Sequence, residues 1–152
     1  GHVQVPGGTD ALCRCGNTGC LEALASGRAI AAELTAAGLA ASSSADVVAL
    51  VRAGDLTATA AVREAGRALG GVLAACVSML NPSVIVVGGA VAEAGEHLLA
   101  GTREVVYRRS LPLATQHLRI LTSRTGGRAG IIGASTLAIE HVLAGDALEA
   151  II

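Results

Sequence analysis

Apolar residues along the chain recur at helical spacing in several stretches and in unbroken β-branched runs in others. Over about 20–37, Leu21, Leu24, Ala25 and Ala29 fall at three- and four-residue intervals, which predicts one helix face. Gly38 stops that helix, and Gly27 interrupts its pattern. The connector Ala40-Ala41-Ser42-Ser43-Ser44 is small and polar. Ser44 is the expected cap of a short helix over about 45–53, with Asp46 near its positive end, and Gly54 ends it. Asp55 is the expected cap of the longest helix, about 56–80, whose apolar face carries Val62, Leu69, Val72, Leu73, Cys76 and Leu80. Gly66, Gly70 and Gly71 lower helix propensity there; close backbone approach to a neighbour is the gain they offer. Cys76 reads as a core residue.

Asn81-Pro82 ends that helix, because proline cannot continue the ladder and disfavours helical geometry in the residue before it. Val84-Ile85-Val86-Val87 is a short β-branched run of the kind buried on both faces of a parallel sheet. Gly88-Gly89 follows at its carboxyl end. A helix over about 91–108, a connector at Leu111-Pro112-Leu113 and a second strand over about 118–122 come next. Thr125-Gly126-Gly127-Arg128-Ala129-Gly130 is a second glycine-rich turn, and a last helix runs over about 129–143 to Gly145. His2-Val3-Gln4-Val5 reads as a short strand before the turn at Pro6-Gly7-Gly8. Helix–strand–helix–strand–helix is an α/β order with a parallel sheet. Two or three strands leave sheet edges unpaired, so further strands are expected upstream of Gly1.

Composition narrows the function. The 152 residues suffice for one modest domain, 52% of them hydrophobic. Tyr107 is the sole aromatic, so the core must be Ala, Val, Leu and Ile. All basic residues are arginine, a bias that points to a high-GC bacterial gene. Net charge is −1 and the densest basic spot is Arg108-Arg109, which argues against nucleic-acid binding by this segment. No apolar run approaches the roughly 20 residues of a membrane span. The start shows neither Met nor a leader, so the expectation is a cytoplasmic protein and a piece of a longer chain.

Chemistry concentrates between His2 and Glu22. His2 is followed by Cys13-Arg14-Cys15 and then Gly16-Asn17-Thr18-Gly19-Cys20-Leu21-Glu22. One imidazole and three thiolates make a complete tetrahedral set for Zn²⁺. Gly16 and Gly19 allow the tight turn that would aim neighbouring sulfurs at one ion. Disulfides or free thiols are the competing readings. A disulfide framework suits small, loop-rich secreted chains, whereas this chain is alanine-rich and helix-forming.

Gly1-His2 with Cys13-x-Cys15-Gly16-x-x-Gly19-Cys20-Leu21-Glu22 closely resembles the signature of the ROK family, which groups bacterial sugar kinases with sugar-responsive transcriptional repressors. The resemblance continues to about Leu143. It implies an actin-like (ribonuclease H-like) two-lobed ATPase fold, of which this chain would be the C-terminal part: a zinc knuckle over 1–22 and an α/β lobe over 56–143, the sheet completed by upstream strands. It implies structural zinc on His2, Cys13, Cys15 and Cys20, and sugar contacts from His2 and Glu22. It makes Gly88-Gly89 the adenosine-side motif, although Ala90 stands where the kinases usually have a third glycine. The family's catalytic Asp, first phosphate loop and a Glu three residues before the zinc His lie upstream of Gly1, so this chain alone is not expected to phosphorylate sugar.

Ala90 and the stretch Tyr107 to Thr115, which resembles regulators of high-GC bacteria, favour the sugar-sensing portion of a regulator. The alternatives are the C-terminal half of an ATP-dependent, glucokinase-like sugar kinase and a zinc-stapled structural module without a ligand. The partners implied are a sugar or sugar phosphate, a further copy of the chain in a homo-oligomer, and DNA only through a separate N-terminal domain. No membrane partner is expected. Bland readings stand beside several residues: Glu22 as a surface carboxylate at a helix start, Glu93, Glu96 and Arg103 as a solvated face, and His97, His117 and His141 as surface or cap residues.

Overall fold

The computed structural model describes residues 1–5 and 10–144. The expected turn at Pro6-Gly7-Gly8 and the stop at Gly145 lie outside them. The elements are α1 (Leu21–Ala25), α2 (Gly27–Ala36), α3 (Ser44–Arg52), α4 (Leu56–Leu80), β1 (Val84–Val87), α5 (Glu96–Arg109), α6 (Pro112–Thr115), β2 (Arg119–Thr122) and α7 (Ala129–Leu143), with 3-10 turns at Ala90–Ala94 and Gly126–Arg128.

Local chemistry sets the boundaries. The single helix expected over 20–37 is two, because Ser26 is extended and its Oγ accepts from the Ala29 N–H at 3.2 Å, capping α2 afresh. The face α2 buries is Ile30, Ala31 and Leu34. A Cβ on Gly27 would collide with the Ser44 side chain, so this glycine lets the starts of α2 and α3 abut. The α3 cap is Ser43, one residue before the expected Ser44. Ser43 Oγ accepts from the Asp46 N–H, and Asp46 Oδ2 accepts from Ser42 N, Ser42 Oγ and Ser43 Oγ at 2.8–2.9 Å. Asp55 caps α4 as expected, accepting from the Ala58 N–H at 2.8 Å. The helix expected over 91–108 begins as a 3-10 turn and starts again after Gly95, whose φ of 73° breaks it.

The face α4 buries differs from the expected one. It consists of Ala58, Ala61, Val62, Ala65, Gly66, Gly70, Ala74 and Val77. Leu80 is exposed, and Cys76 is half-buried rather than a core residue. The cause is α5, which approaches too closely for large side chains. A Cβ on Gly66 would sit on the Leu98 carbonyl, one on Gly101 on the Arg63 carbonyl, and one on Gly70 at 2.6 Å from the Thr102 carbonyl oxygen. The buried Thr102 hydroxyl lies 2.9 Å from the Leu98 carbonyl oxygen and 3.1 Å from that of Gly66, joining the two backbones. Gly71 meets only the Arg109 guanidinium, at 3.6 Å.

β1 and β2 pair in parallel, Val84 opposite Arg119 through Val87 opposite Thr122. Residues 2–5 do not join this sheet; Gln4 bridges antiparallel to Cys20 instead. Burial of β1 on both faces is the expectation, yet the described residues cover only one face. There Ile85, Val87, Leu118 and Ile120 pack with Leu73, Val77, Leu99 and Val106 of α4 and α5. Val84 and Val86 on the other face are exposed, and α7 buries none of its residues. Arg119 N–H and Ser123 N–H donate to Ser83 and Val87, so the even-numbered carbonyls of β2 face outward. Arg103 donates to the Ile120 carbonyl at 2.8 Å, and the Tyr107 hydroxyl reaches that of Leu118 at 3.4 Å. Arg103 also pairs with Glu96, so it is no merely solvated residue. His97, His117 and His141 are exposed, as expected.

Candidate functional site

Among the described residues before α1, local backbone pairing rather than a helix or a sheet strand sets the path of the chain. Leu12 bridges Thr18, the Cys13 N–H donates to Asn17 at 2.8 Å, and the Gly16 N–H returns to Cys13 at 2.9 Å, closing a tight turn. Gly16 at φ 90° and Gly19 at φ 70° need conformations that other residues rarely adopt. The Val5 N–H donates to Gly19 and the Leu21 N–H to Val3, both at 2.9 Å. These bonds hold the segment carrying His2 against the start of α1.

The result is one cluster. Ligand atoms of His2, Cys13, Cys15 and Cys20 all lie within 4.8 Å of one another. Cys15 Sγ is 3.6 Å from Cys20 Sγ, and Cys13 Sγ is 3.5 Å from His2 Nδ1. A tetrahedral ion with Zn–S of about 2.3 Å and Zn–N of about 2.0–2.1 Å separates two sulfurs by about 3.8 Å and a sulfur from a nitrogen by about 3.5 Å. The spacing therefore fits a tetrahedral ion such as zinc, and His2 Nδ1 is the ring nitrogen that lies beside the Cys13 sulfur. All four cysteines are free. Cys13 and Cys20 are buried, while His2 and Cys15 are exposed. The Asn17 backbone N–H brings the Cys15 thiol down to about 7, and burial pushes that of Cys20 up to about 11.

Glu22 stands in the first turn of α1, its N–H donating to the Gly1 carbonyl at 2.7 Å. It lines a cavity of about 370 Å³ together with Ser26, Ser44, Gly88, Gly89 and Ala90. The expected sugar residue Glu22 and the expected glycine turn thus share one hollow. His2 stays with the cysteines and is not part of the cavity lining. Gly89 has φ 98°, and a Cβ on Gly88 would press on Ser123 at 3.3 Å. The sequence reading names neither Ser26 nor Ser44 as a site residue: Ser26 falls inside the expected helix and Ser44 reads as a helix cap. Also unforeseen is a second hollow of about 380 Å³ lined by Glu33, Glu64, Arg67, Arg108 and Arg109. Glu104 binds both Arg63 and Arg67 beside it, which keeps its carboxyl below the usual range.

The sequence matches the ROK family profile over residues 1–141. It is 32% identical to a glucokinase of Halalkalibacterium halodurans, over 90% of this chain and 46% of that protein. It is 30% identical to an N-acetylglucosamine repressor of Escherichia coli O6:H1, over 98% of this chain and 38% of the repressor. Among solved structures, a ROK family glucokinase from Streptomyces griseus, crystallised with glucose and AMPPNP, superposes with a TM-score of 0.72 at 32% identity, over 90% of this chain and 49% of that one. The chain spans less than half the length of each of these relatives.

Proposed function

The chain belongs to the ROK family, and on that premise we propose that it is the sugar-sensing, effector-binding portion of a ROK-type transcriptional regulator, with zinc on His2, Cys13, Cys15 and Cys20. The observation that carries the reading is the shared cavity, with Glu22 on one wall and Gly88-Gly89-Ala90 on another. Glu22 accepts hydrogen bonds from sugar hydroxyls there. Each such bond to a carboxylate is worth about 1.5–3 kcal/mol, so recognition depends on its aim. The zinc ligands contribute that aim. Four protein ligands leave a metal no open position, so its role is structural. Held by His2, Cys13, Cys15 and Cys20, it would keep the His2 segment and the start of α1 in register, and Gly1, beside His2, lines the cavity.

Ala90 favours the regulator. Its methyl stands at the glycine turn, where an approaching nucleotide would meet it. The alternative is the C-terminal half of an ATP-dependent sugar kinase, and the glucokinase relatives support it at similar identity. In either reading upstream chain supplies the remaining strands of an actin-like fold. DNA contact comes from a separate N-terminal domain, and the assembly is a homo-oligomer. A bound sugar shifts operator affinity only by favouring one arrangement of the whole protein over another. The test uses the full-length protein: calorimetry with glucose, N-acetylglucosamine and xylose, a coupled assay for ATP-dependent phosphorylation, and operator binding with and without sugar. Sugar-dependent operator release without turnover is the expected result. Turnover with any of these sugars would replace the regulator by the kinase.

A further inference from the structure

We infer that Cys15 is an oxidation site, and that a hydroperoxide converts Cys15 and Cys20 into a disulfide and so dismantles the metal centre. The inference rests on the zinc reading given above and adds a modification to it. Three sulfurs share the cluster, but they differ in access. Cys13 is 4% exposed and Cys20 is fully buried, whereas Cys15 faces solvent on the tip of the Cys13–Gly16 turn. A small oxidant therefore meets Cys15 first, since oxidation follows thiolate character and exposure.

Geometry also selects the second sulfur. Cys20 Sγ is 3.6 Å from Cys15 Sγ, while Cys13 Sγ lies against His2 Nδ1. The two cysteines are joined through Gly16-Asn17-Thr18-Gly19, with both glycines at positive φ, so they stand at the two ends of one tight loop. Bringing the sulfurs into a bond requires closing a short gap within one loop.

The chemistry balances in two steps. The Cys15 thiolate attacks one peroxide oxygen, the O–O bond breaks, hydroxide leaves, and Cys15 becomes a sulfenic acid. The Cys20 sulfur, giving up its bond to the metal or its proton, then attacks that sulfur, an S–S bond forms, and the sulfenic oxygen leaves as hydroxide or, with that proton, as water. The two sulfurs lose two electrons and the peroxide gains them. Only His2 and Cys13 then remain as ligands, and zinc departs. A thiol reductant with added zinc restores the four-ligand set. The backbone bonds from Leu21 to Val3 and from Glu22 to Gly1 lose the clamp beside them, so the state of the sulfurs is transmitted to Glu22.

The test follows purified, zinc-loaded full-length protein through a hydrogen peroxide time course. A chromogenic chelator reads released zinc, and differential alkylation with peptide mass spectrometry reads each cysteine. The expected result is one zinc released per chain, in step with a Cys15–Cys20 disulfide, and its return with dithiothreitol plus zinc. Cys76→Ser should behave as wild type. Cys15→Ser should form no disulfide at Cys20 under the same peroxide exposure, read by the alkylation map; a disulfide at Cys20 in that variant would overturn the inference. Zinc retained under peroxide, or first modification at Cys13, Cys20 or Cys76, would overturn the inference. Protein that carries no zinc before peroxide would defeat the metal reading instead, while the disulfide map still decides the sulfur chemistry.

Discussion

The Arg63 carbonyl on α4 faces Gly101 on α5 more closely than any Cβ could stand. Gly66 returns the relationship, lying on the Leu98 carbonyl of α5. Each helix thus places a glycine on the other's backbone, and the helix pair carrying the covered face of the sheet depends on both. Gly101→Ala should be destabilising. Forcing a methyl into a filled contact costs about 1–3 kcal/mol, against a propensity gain of about 1 kcal/mol. Gly71→Ala, where only the Arg109 guanidinium is near, should be neutral or stabilising by up to about 1 kcal/mol. Denaturant unfolding of both variants checks the contrast, and equal effects would refute the packing argument.

Elemental analysis should return one zinc per chain. Cys13→Ala should lose it and loosen residues 1–22, because metal binding and local folding are coupled. Amide hydrogen exchange over this segment reads the loosening. Wild-type protein free of zinc, or a variant that keeps it, would count against the ligand set.

Glu22→Gln keeps the size of the side chain and removes its charge. If the carboxylate receives sugar hydroxyls, affinity should fall about 10- to 100-fold, with zinc content unchanged. Calorimetry on the full-length protein measures the first and elemental analysis the second. Unaltered affinity would return Glu22 to the role of a helix-start carboxylate.

Asp46 gives a pH prediction. The Ser42 hydroxyl and N–H, then the Ser43 hydroxyl, hold its carboxyl below the ordinary range. A carboxyl lowered on folding stabilises the native state above its unfolded pKa and loses that contribution as pH falls through the folded value. Asp46→Asn should therefore melt lower than wild type at neutral pH. The gap should narrow below about pH 4, where the unfolded carboxyl protonates. Melting curves from pH 7 to pH 3 test this, and a gap independent of pH would exclude the charge as its source.

Chemistry that is local in sequence was legible. The cysteine spacing and its two glycines named a cluster that the fold assembles, and Asp55, Asn81-Pro82 and the valine run marked their elements correctly. Most of what escaped depends on partners distant in the chain. The small-residue face of α4 is decided by α5, some 36 residues away at the Thr102–Gly66 contact, and no periodicity of large residues announces it. Ser26 looked like the interior of a helix because its cap bond competes with a good apolar pattern. The cavity was half legible. Glu22 and Gly88-Gly89 were each visible, but their meeting depends on how α1 and the turn after β1 pack.

The side chains of Arg103 and Tyr107 across the outer rim of β2 give the sheet a direction of growth. Their donors occupy the Ile120 and Leu118 carbonyls, so a newcomer strand finds that side closed. The backbone groups of Val84 and Val86 point the other way, toward the rim that β2 does not use. Strand addition is thus one-sided, and β1 becomes an inner strand as soon as anything joins. An unbroken valine–isoleucine run, unusual for a border position, is in keeping with that destiny.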